Sequence, residues 1–166
     1  MVRFVTMVCF VALLPSVSLA QAAKFYQLEF VVKEVEEGKV VNSRSYSMIT
    51  SGDPNSGRSS SMRTGNRVPV PSSPGSTQFN YLDIGVNIDC AVLRDLDGEL
   101  ALNVVAEISS IASKTDASAT APPVLRQTKW NSNVVLPIRK ATVLFGSDDP
   151  GTKRKMQLEL TATPVK

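Results

Sequence analysis

The amino-acid sequence predicts an all-β domain in which mainly antiparallel sheets pack face to face as a sandwich. Several segments alternate apolar and polar residues with a period of two, which is typical of strands with one buried face. Clusters of Pro, Gly, Asn, Asp and Ser separate these segments and predict turns. No segment shows a convincing amphipathic-helix pattern, and 166 residues leave room for one domain of ordinary size.

The first predicted strands form a hairpin near the start of the chain, after residue 24. Apolar residues alternate with polar ones from Tyr26 to Val32, which indicates a half-buried strand. Gly38 can take the positive φ of a tight turn after the two glutamates before it. The segment 40–49 is then the return strand, and its many serines indicate an edge or half-exposed position.

A break of Ser, Gly and Pro follows over residues 51–61 and predicts a loop. Residues 63–71 form a short extended piece. Pro69 and Pro71 exclude it from a central strand, because proline lacks the N–H that a ladder needs on both sides. Residues 72–76 make a second turn-rich link.

The most regular pattern in the chain is a long hairpin. One face of its first strand is apolar from Leu82 to Val92, and the opposite face carries Asp and Asn. The run 95–98 ends in Asp-Gly, a strong hairpin turn signal. Alternation then resumes from Leu100 to Ile108, which predicts the partner strand.

The last third of the chain is predicted as shorter pieces. A Ser-, Thr- and Ala-rich mobile loop is expected over 112–121, and a charged turn over 146–155. A turn is also expected at Asn131-Ser132-Asn133. The expected strands are 124–130, 134–138, 141–145 and a closing strand from Met156 to Ala162.

Residues 1–20 have the layout of a secretory signal peptide. Arg3 precedes an apolar run over 4–14, and small residues near Ala20 fit a cleavage site before Gln21 or Ala23. The alternative, a membrane anchor, is disfavoured because the run is short for a hydrocarbon core of about 30 Å. We therefore expect an exported chain, periplasmic or extracellular, with one β-rich domain over residues 21–166.

Removal of the signal would leave Cys90 as the single cysteine, since Cys9 lies within the signal. A lone cysteine in an exported protein can be a reactive thiol or can pair between chains. Cys90 alternates in step with apolar neighbours, so we favour a buried residue that acts as a small hydrophobe.

The composition argues against several kinds of chemistry. With no histidine, the chain has no Ser-His-Asp or Cys-His pair and no histidine-based zinc site. Asp83 and Asp89 could form the carboxylate pair of a glycosidase, but they fit the polar face of a strand better. The acidic residues of 95–99 could form a calcium loop, but they fit a hairpin turn better. A net charge of +3 is too small to indicate nucleic-acid binding. We expect no enzyme activity, no cofactor and no metal.

The predicted edge strands offer the best candidate for binding, because an exposed strand edge can pair with another chain. On them we single out Tyr46, Met48, Arg63 and Arg67 as partner-binding candidates. Trp130, the only tryptophan, is either an exposed binding anchor or, as we favour, a cap on the core.

An ordered series of motifs resembles the C-terminal core of the bacterial secretins, the outer-membrane channel proteins of type II and type III secretion and of type IV pili. The resemblance is strongest over residues 62–166. It rests on Arg63-Thr64-Gly65-Asn66-Arg67-Val68-Pro69-Val70, on Phe79-Asn80-Tyr81-Leu82-Asp83-Ile84-Gly85-Val86-Asn87-Ile88, on Asp97-Gly98 with Leu100 to Ser110, on Pro123-Val124-Leu125-Arg126-Gln127 and on Met156 to Pro164. Residues 27–35 also resemble the opening strand of the family.

The long Gly- and Pro-rich signature of the secretins is replaced by the shorter segment 143–150. The resemblance therefore implies a short, stand-alone version of the secretin core. It also implies a protein that acts by contact with other proteins, in or beside a secretion or pilus system, with self-association or outer-membrane association as open alternatives. A secreted β-sandwich that binds a small molecule, a glycan or a protein is the other function that the sequence leaves open.

Overall fold

A computed structural model describes residues 24–73, 76–111, 124–149 and 153–165. The predicted signal peptide and the predicted mobile loop at 112–121 lie outside these residues. Within them the chain folds almost entirely into β-strands, with a single short 3-10 turn at Pro54–Ser56. The predicted all-β class is therefore confirmed.

The described strands form two antiparallel sheets. Sheet A has the strand order β2-β1-β8-β7, and sheet B has the order β3-β4-β5-β6. Their bounds are β1 Phe25–Glu36, β2 Lys39–Ser51, β3 Ser60–Pro71, β4 Phe79–Leu96, β5 Glu99–Ile111, β6 Leu125–Pro137, β7 Thr142–Asp148 and β8 Arg154–Val165. Every pair of neighbouring strands in sheet B is consecutive in sequence, whereas β8 returns to pair with β1 in sheet A.

Both predicted hairpins are confirmed, with their turns at the expected glycines. Glu37 and Gly38 have φ values of 51° and 80° between β1 and β2, as a two-residue turn of the type that suits the twist of a hairpin requires. Gly98, between β4 and β5, has a φ of 79°. The prolines Pro69 and Pro71 lie in β3, which is an edge strand as predicted.

The core lies between the two sheets and is built from alternate residues of five strands. This alternation places one apolar row of each strand inside, as the sequence predicts, and Cys90 belongs to it. The buried hydrophobic residues are Tyr26, Leu28, Phe30 and Val32 of β1, Val86, Ile88, Cys90 and Val92 of β4, Leu100, Leu102, Val104, Ala106 and Ile108 of β5, Leu136 of β6 and Leu158, Leu160 and Ala162 of β8.

The predicted turn at Asn131-Ser132-Asn133 is wrong, because β6 runs without a break from Leu125 to Pro137. Ser132 lies opposite Val104 on the inner face of the sheet. The side-chain oxygens of both outer asparagines accept hydrogen bonds across the ladder, since Asn103 Nδ2 donates to Asn133 Oδ1 at 2.8 Å and to Asn131 Oδ1 at 3.3 Å. Asparagine favours turns through local hydrogen bonds, and here a neighbouring strand supplies those bonds instead.

The charged turn predicted over 146–155 is too long. β7 continues to Asp148 and β8 begins at Arg154, with Asp148 opposite Lys155 in the ladder. The Asp149 N–H also donates to the Arg154 carbonyl at 2.8 Å. Opposite charges across a ladder stabilise pairing, so these charged residues extend the hairpin where the sequence pattern alone indicates a loop.

Candidate functional site

The edges of the two sheets are the feature of this fold most suited to binding. In sheet A the outer strands are β2 and β7, and in sheet B they are β3 and β6. β2 contacts β3, and β6 contacts β7. The sandwich therefore has two flanks, and among the described strands each flank has one unpaired strand edge from each sheet. We call the β2 and β3 side the first flank, and the β6 and β7 side the second flank.

Tyr46 and Met48 lie on the first flank, in β2, as the sequence predicts. Their side chains are partly buried and pack against the core between the sheets. The residues of β2 that alternate with them, among them Ser45 and Ser47, are exposed. Any contact made by β2 would thus use its main chain and these serines, while Tyr46 and Met48 hold the strand in place.

Arg63 and Arg67 also lie on the first flank, in β3, and both point to the outer face of sheet B. The Arg63 guanidinium donates two hydrogen bonds to Asp89, at 2.7 and 2.8 Å, and the Ser61 hydroxyl donates a third at 2.6 Å. The Ser61 bond, together with Arg63, holds the pKa of Asp89 below its usual range against the opposing effect of burial. Arg67 pairs with Asp83 at 3.0 Å, and this pair is largely exposed.

A second polar network, which the sequence does not predict, crosses the outer face of sheet B near the second flank. Gln127 donates to Glu107 at 2.6 Å, and Lys129 lies 3.0 Å from the same carboxylate. The bond with Lys129 lowers the pKa of Glu107, with burial opposing the shift. The alternating polar residues of β5 and β6 indicate an exposed sheet face. Which of these residues lie opposite each other depends on the pairing register of the two strands, which the sequence near each residue does not determine.

Trp130 lies on the second flank and is partly buried. Its ring stacks on Phe145 of β7, with the ring centroids 5.5 Å apart. Since Trp130 belongs to sheet B and Phe145 to sheet A, the stacked pair joins the two sheets at this flank. This packing against the core fits the favoured interpretation of Trp130 as a cap, and a role as an exposed binding anchor stays the untested alternative.

The two sheets are also joined where β1 begins. Lys24 lies 3.0 Å from Asp95 of β4. Burial raises the pKa of Tyr26, and a hydrogen bond with Asp95 raises it further. The turn is shorter than the predicted acidic run 95–99, since β4 extends to Leu96 and β5 begins at Glu99. Asp95 therefore lies at the end of β4 and makes an inter-sheet contact.

The described residues give little support for chemistry at a site. They include no group of three or more His, Cys, Asp or Glu side chains placed to hold a metal ion. Burial raises the pKa of the Cys90 thiol to about 12, so the nucleophilic thiolate is scarce at neutral pH. A concavity of about 610 Å³ lies on the outer face of sheet A, with Lys33, Lys155, Asp148 and Glu159 in its lining. In the part of the chain that is described, no helix has the length and apolarity needed to cross a membrane.

Neither the comparison with protein-family models nor the comparison with curated proteins gives a match. Solved structures do match. The secretin InvG of the Salmonella SPI-1 type III secretion injectisome is similar over 88% of this chain and 66% of its own, with a TM-score of 0.56 and 8% identity. The type II secretin GspD of enteropathogenic Escherichia coli is similar over 89% of this chain and 71% of its own, with a TM-score of 0.56 and 9% identity.

A third match is the outer membrane complex of the Klebsiella pneumoniae type II secretion system, which contains PulD, PulS and the PulC HR domain. It covers 87% of this chain and 39% of the matched chain, with a TM-score of 0.51 and 12% identity. The chain thus spans two thirds or less of the InvG and Klebsiella chains. At such low identity the likeness concerns the fold, and the strand edges on both flanks belong to a secretin-core-like β-fold, as the sequence motifs imply.

Proposed function

We propose that this chain is an exported, non-enzymatic protein of the cell envelope that acts by protein–protein contact in or beside a secretion or pilus system. The observation that carries the proposal is the secretin-core-like fold with free strand edges on both flanks. A free edge presents main-chain N–H and C=O groups that another strand can pair with.

The two flanks also make a specific form of self-association possible. If copies pack side by side, β2 of one copy can extend sheet A at β7 of the next, while β3 extends sheet B at β6. Such a contact joins two different surfaces, so it repeats from copy to copy and closes into a ring when the rotation allows. A contact of the first flank with itself would instead stop at a dimer.

Paired cysteines distinguish these arrangements. Ser45 of β2 and Val143 of β7 lie on the same outer row of sheet A, connected through Val31 and Glu159. Within one chain they are separated by three strand spacings, about 14 Å. A disulfide needs Cα atoms within about 7 Å. A bond between cysteines at these two positions therefore forms only between chains.

The experiment uses the full chain with Cys90→Ala, Ser45→Cys and Val143→Cys, expressed with its predicted signal peptide and oxidised in the cell envelope fraction. Variants with the β2 cysteine moved to position 43 or 47 cover a shift of register. We expect a ladder of bands beyond the dimer on a non-reducing gel, which collapses on reduction. The single variant Ser45→Cys is the control and should give no ladder.

The other outcomes each contradict a part of the proposal. Dimers alone, from the single variant as well, would show that the first flank pairs with itself. Monomers in every variant, with the protein in the soluble fraction and of monomer size by light scattering, would refute self-association. In that case a secreted binding module, for which the concavity of about 610 Å³ is the candidate site, would become the better description.

A further inference from the structure

The longest strand of the fold, β4, has different partners at its two ends. It pairs with β3 from Phe79 to Cys90, but with β5 only from Val86 to Leu96. Residues 65–71 and 79–85 therefore form a two-stranded extension, which we call the arm. None of these arm residues is buried, and in the described part of the chain the arm has no second strand beside β4.

The main-chain ladder between β4 and β5 ends at Val86, and at the next position a side chain makes the contact between the two strands. The last register pair is Val86 opposite Ile108, so Gly85 would face Ser109 next. At this step the Ser109 hydroxyl bonds to both main-chain groups of Gly85: it accepts from the N–H at 3.0 Å and donates to the carbonyl at 3.4 Å. Ser109 itself is only 7% exposed. Beyond it, β5 continues with β6 while β4 continues with β3.

The base of the arm is also where its two strands approach most closely. Gly65 and Gly85 lie opposite each other in the β3–β4 ladder. A Cβ atom at Gly65 would meet the Ile84 carbonyl oxygen, and one at Gly85 would meet the Thr64 carbonyl oxygen, both at about 2 Å. Gly85 has a φ of 156°. Without side chains, this pair gives the arm little resistance to a change of direction.

We propose that Ser109 is a positioning residue that sets the direction of the arm. Its hydroxyl ends the β4–β5 ladder and at the same time binds both main-chain groups of Gly85, at the base of the arm, to β5. The glycine pair permits the arm to change direction, and the serine selects one direction. This inference does not depend on the proposed role in secretion.

The direction of the arm decides where a set of exposed aromatic side chains is presented. Tyr81 is 62% exposed and Phe79 is 50% exposed, and they lie opposite Pro69 and Pro71 in the ladder. Apolar residues grouped on an exposed surface are typical of contact sites. Ser109 would thereby orient a contact surface that it does not itself touch.

Hydrogen exchange followed by mass spectrometry tests this role in the Ser109→Ala variant of the full chain. Loss of the hydroxyl bonds to Gly85 should speed exchange of the arm amides about fivefold, while amides of β5 from Leu100 to Val104 stay unchanged. Ser110→Ala is the matched control, because Ser110 is the exposed neighbour in the same strand. It should leave the arm at the wild-type rate.

A distance measurement provides a second readout of direction. Spin labels at Asn80 on the arm and Val135 on β6, in a Cys90→Ala background, report the angle between arm and sandwich. We expect one narrow distance distribution in the parent and in Ser110→Ala, and a broader one in Ser109→Ala. Equal acceleration of arm and core amides, or an unchanged distance distribution with Ser109→Ala, would overturn the proposal.

Should Ser109→Ala fail to fold, the isosteric pair Ser109→Thr and Ser109→Val replaces it. Both add the same bulk, but only threonine retains a hydroxyl. A narrower arm distribution with threonine than with valine supports the proposal, and equal distributions refute it.

Discussion

Thr50 provides a test of how strictly this sandwich satisfies its buried polar groups. The residue lies in β2 opposite Tyr26, is 2% exposed, and its hydroxyl has no hydrogen-bond partner among the described residues. A buried hydroxyl without a partner costs about 1–3 kcal/mol. Valine has the same shape, lacks the hydroxyl and suits a strand equally well.

Thr50→Val should therefore raise the free energy of unfolding, and we expect a gain of about 1 kcal/mol. With a urea m-value of about 2 kcal/mol/M, that gain moves the unfolding midpoint by about 0.5 M. The corresponding rise in melting temperature is roughly 2–4 °C for a chain of this length. Thr163→Val, at an exposed position of β8, is the control and should change stability by less than about 0.5 kcal/mol.

Urea unfolding followed by Trp130 fluorescence measures both variants, with the m-value checked for equality. An unchanged or lower midpoint for Thr50→Val would refute the reasoning, because it would mean that the hydroxyl is bonded in solution. A similar gain from Thr163→Val would also refute it, since burial would then not be the cause.

Two further predictions concern titratable groups. Cys90, with its pKa raised to about 12 by burial, should react with a thiol reagent at least about a hundredfold more slowly in native protein than in urea; rapid native labelling would contradict its place in the core. Asp89 has a lowered pKa in the folded state, so it stabilises the protein above its unfolded pKa, and this contribution is lost as the pH falls through the folded value. The partly exposed pair makes the effect small, and Asp89→Asn should cost less than about 1 kcal/mol at pH 7. The difference from wild type should vanish toward about pH 2, and a constant difference across that range would contradict the assignment.

The sequence predicts best those elements whose structure depends on interactions between residues close together in the chain. The hairpin around Gly98 needs only two alternating strands and a residue that tolerates positive φ. Both requirements are visible within a few residues, and the same holds for Gly38. The closing strand from Met156 to Ala162 also follows from alternation alone, since one of its faces must be buried.

The features that sequence did not predict depend on partners far along the chain. The sequence around Asn131 and Asn133 predicts a turn, because the strand that carries Asn103 is distant in sequence. In the structure Asn103 donates hydrogen bonds to the side-chain oxygens of both residues. The serine-rich pattern predicts an edge strand that contains Tyr46 and Met48, but which face of β2 meets the core depends on the register with β1. Ser109 is one serine among many in the sequence, and its position at the end of a ladder appears only when β4 and β5 are paired.

The charges on the first flank indicate whether its edge strands are protected against pairing with another chain. β2 and β3 contain no Asp or Glu, and isolated edge strands often use unpaired Lys or Arg to repel other strands. Here the three arginines have acidic partners on the adjacent inner strand: Arg44 with Glu34, Arg63 with Asp89 and Arg67 with Asp83. The arginine charges are thus largely neutralised within the chain. The remaining cation of these two strands is Lys39, which is exposed at the start of β2, next to the hairpin turn. Beyond the turn end of β2, such a flank can accept a second strand without bringing uncompensated positive charge into the contact, which supports the proposed edge pairing.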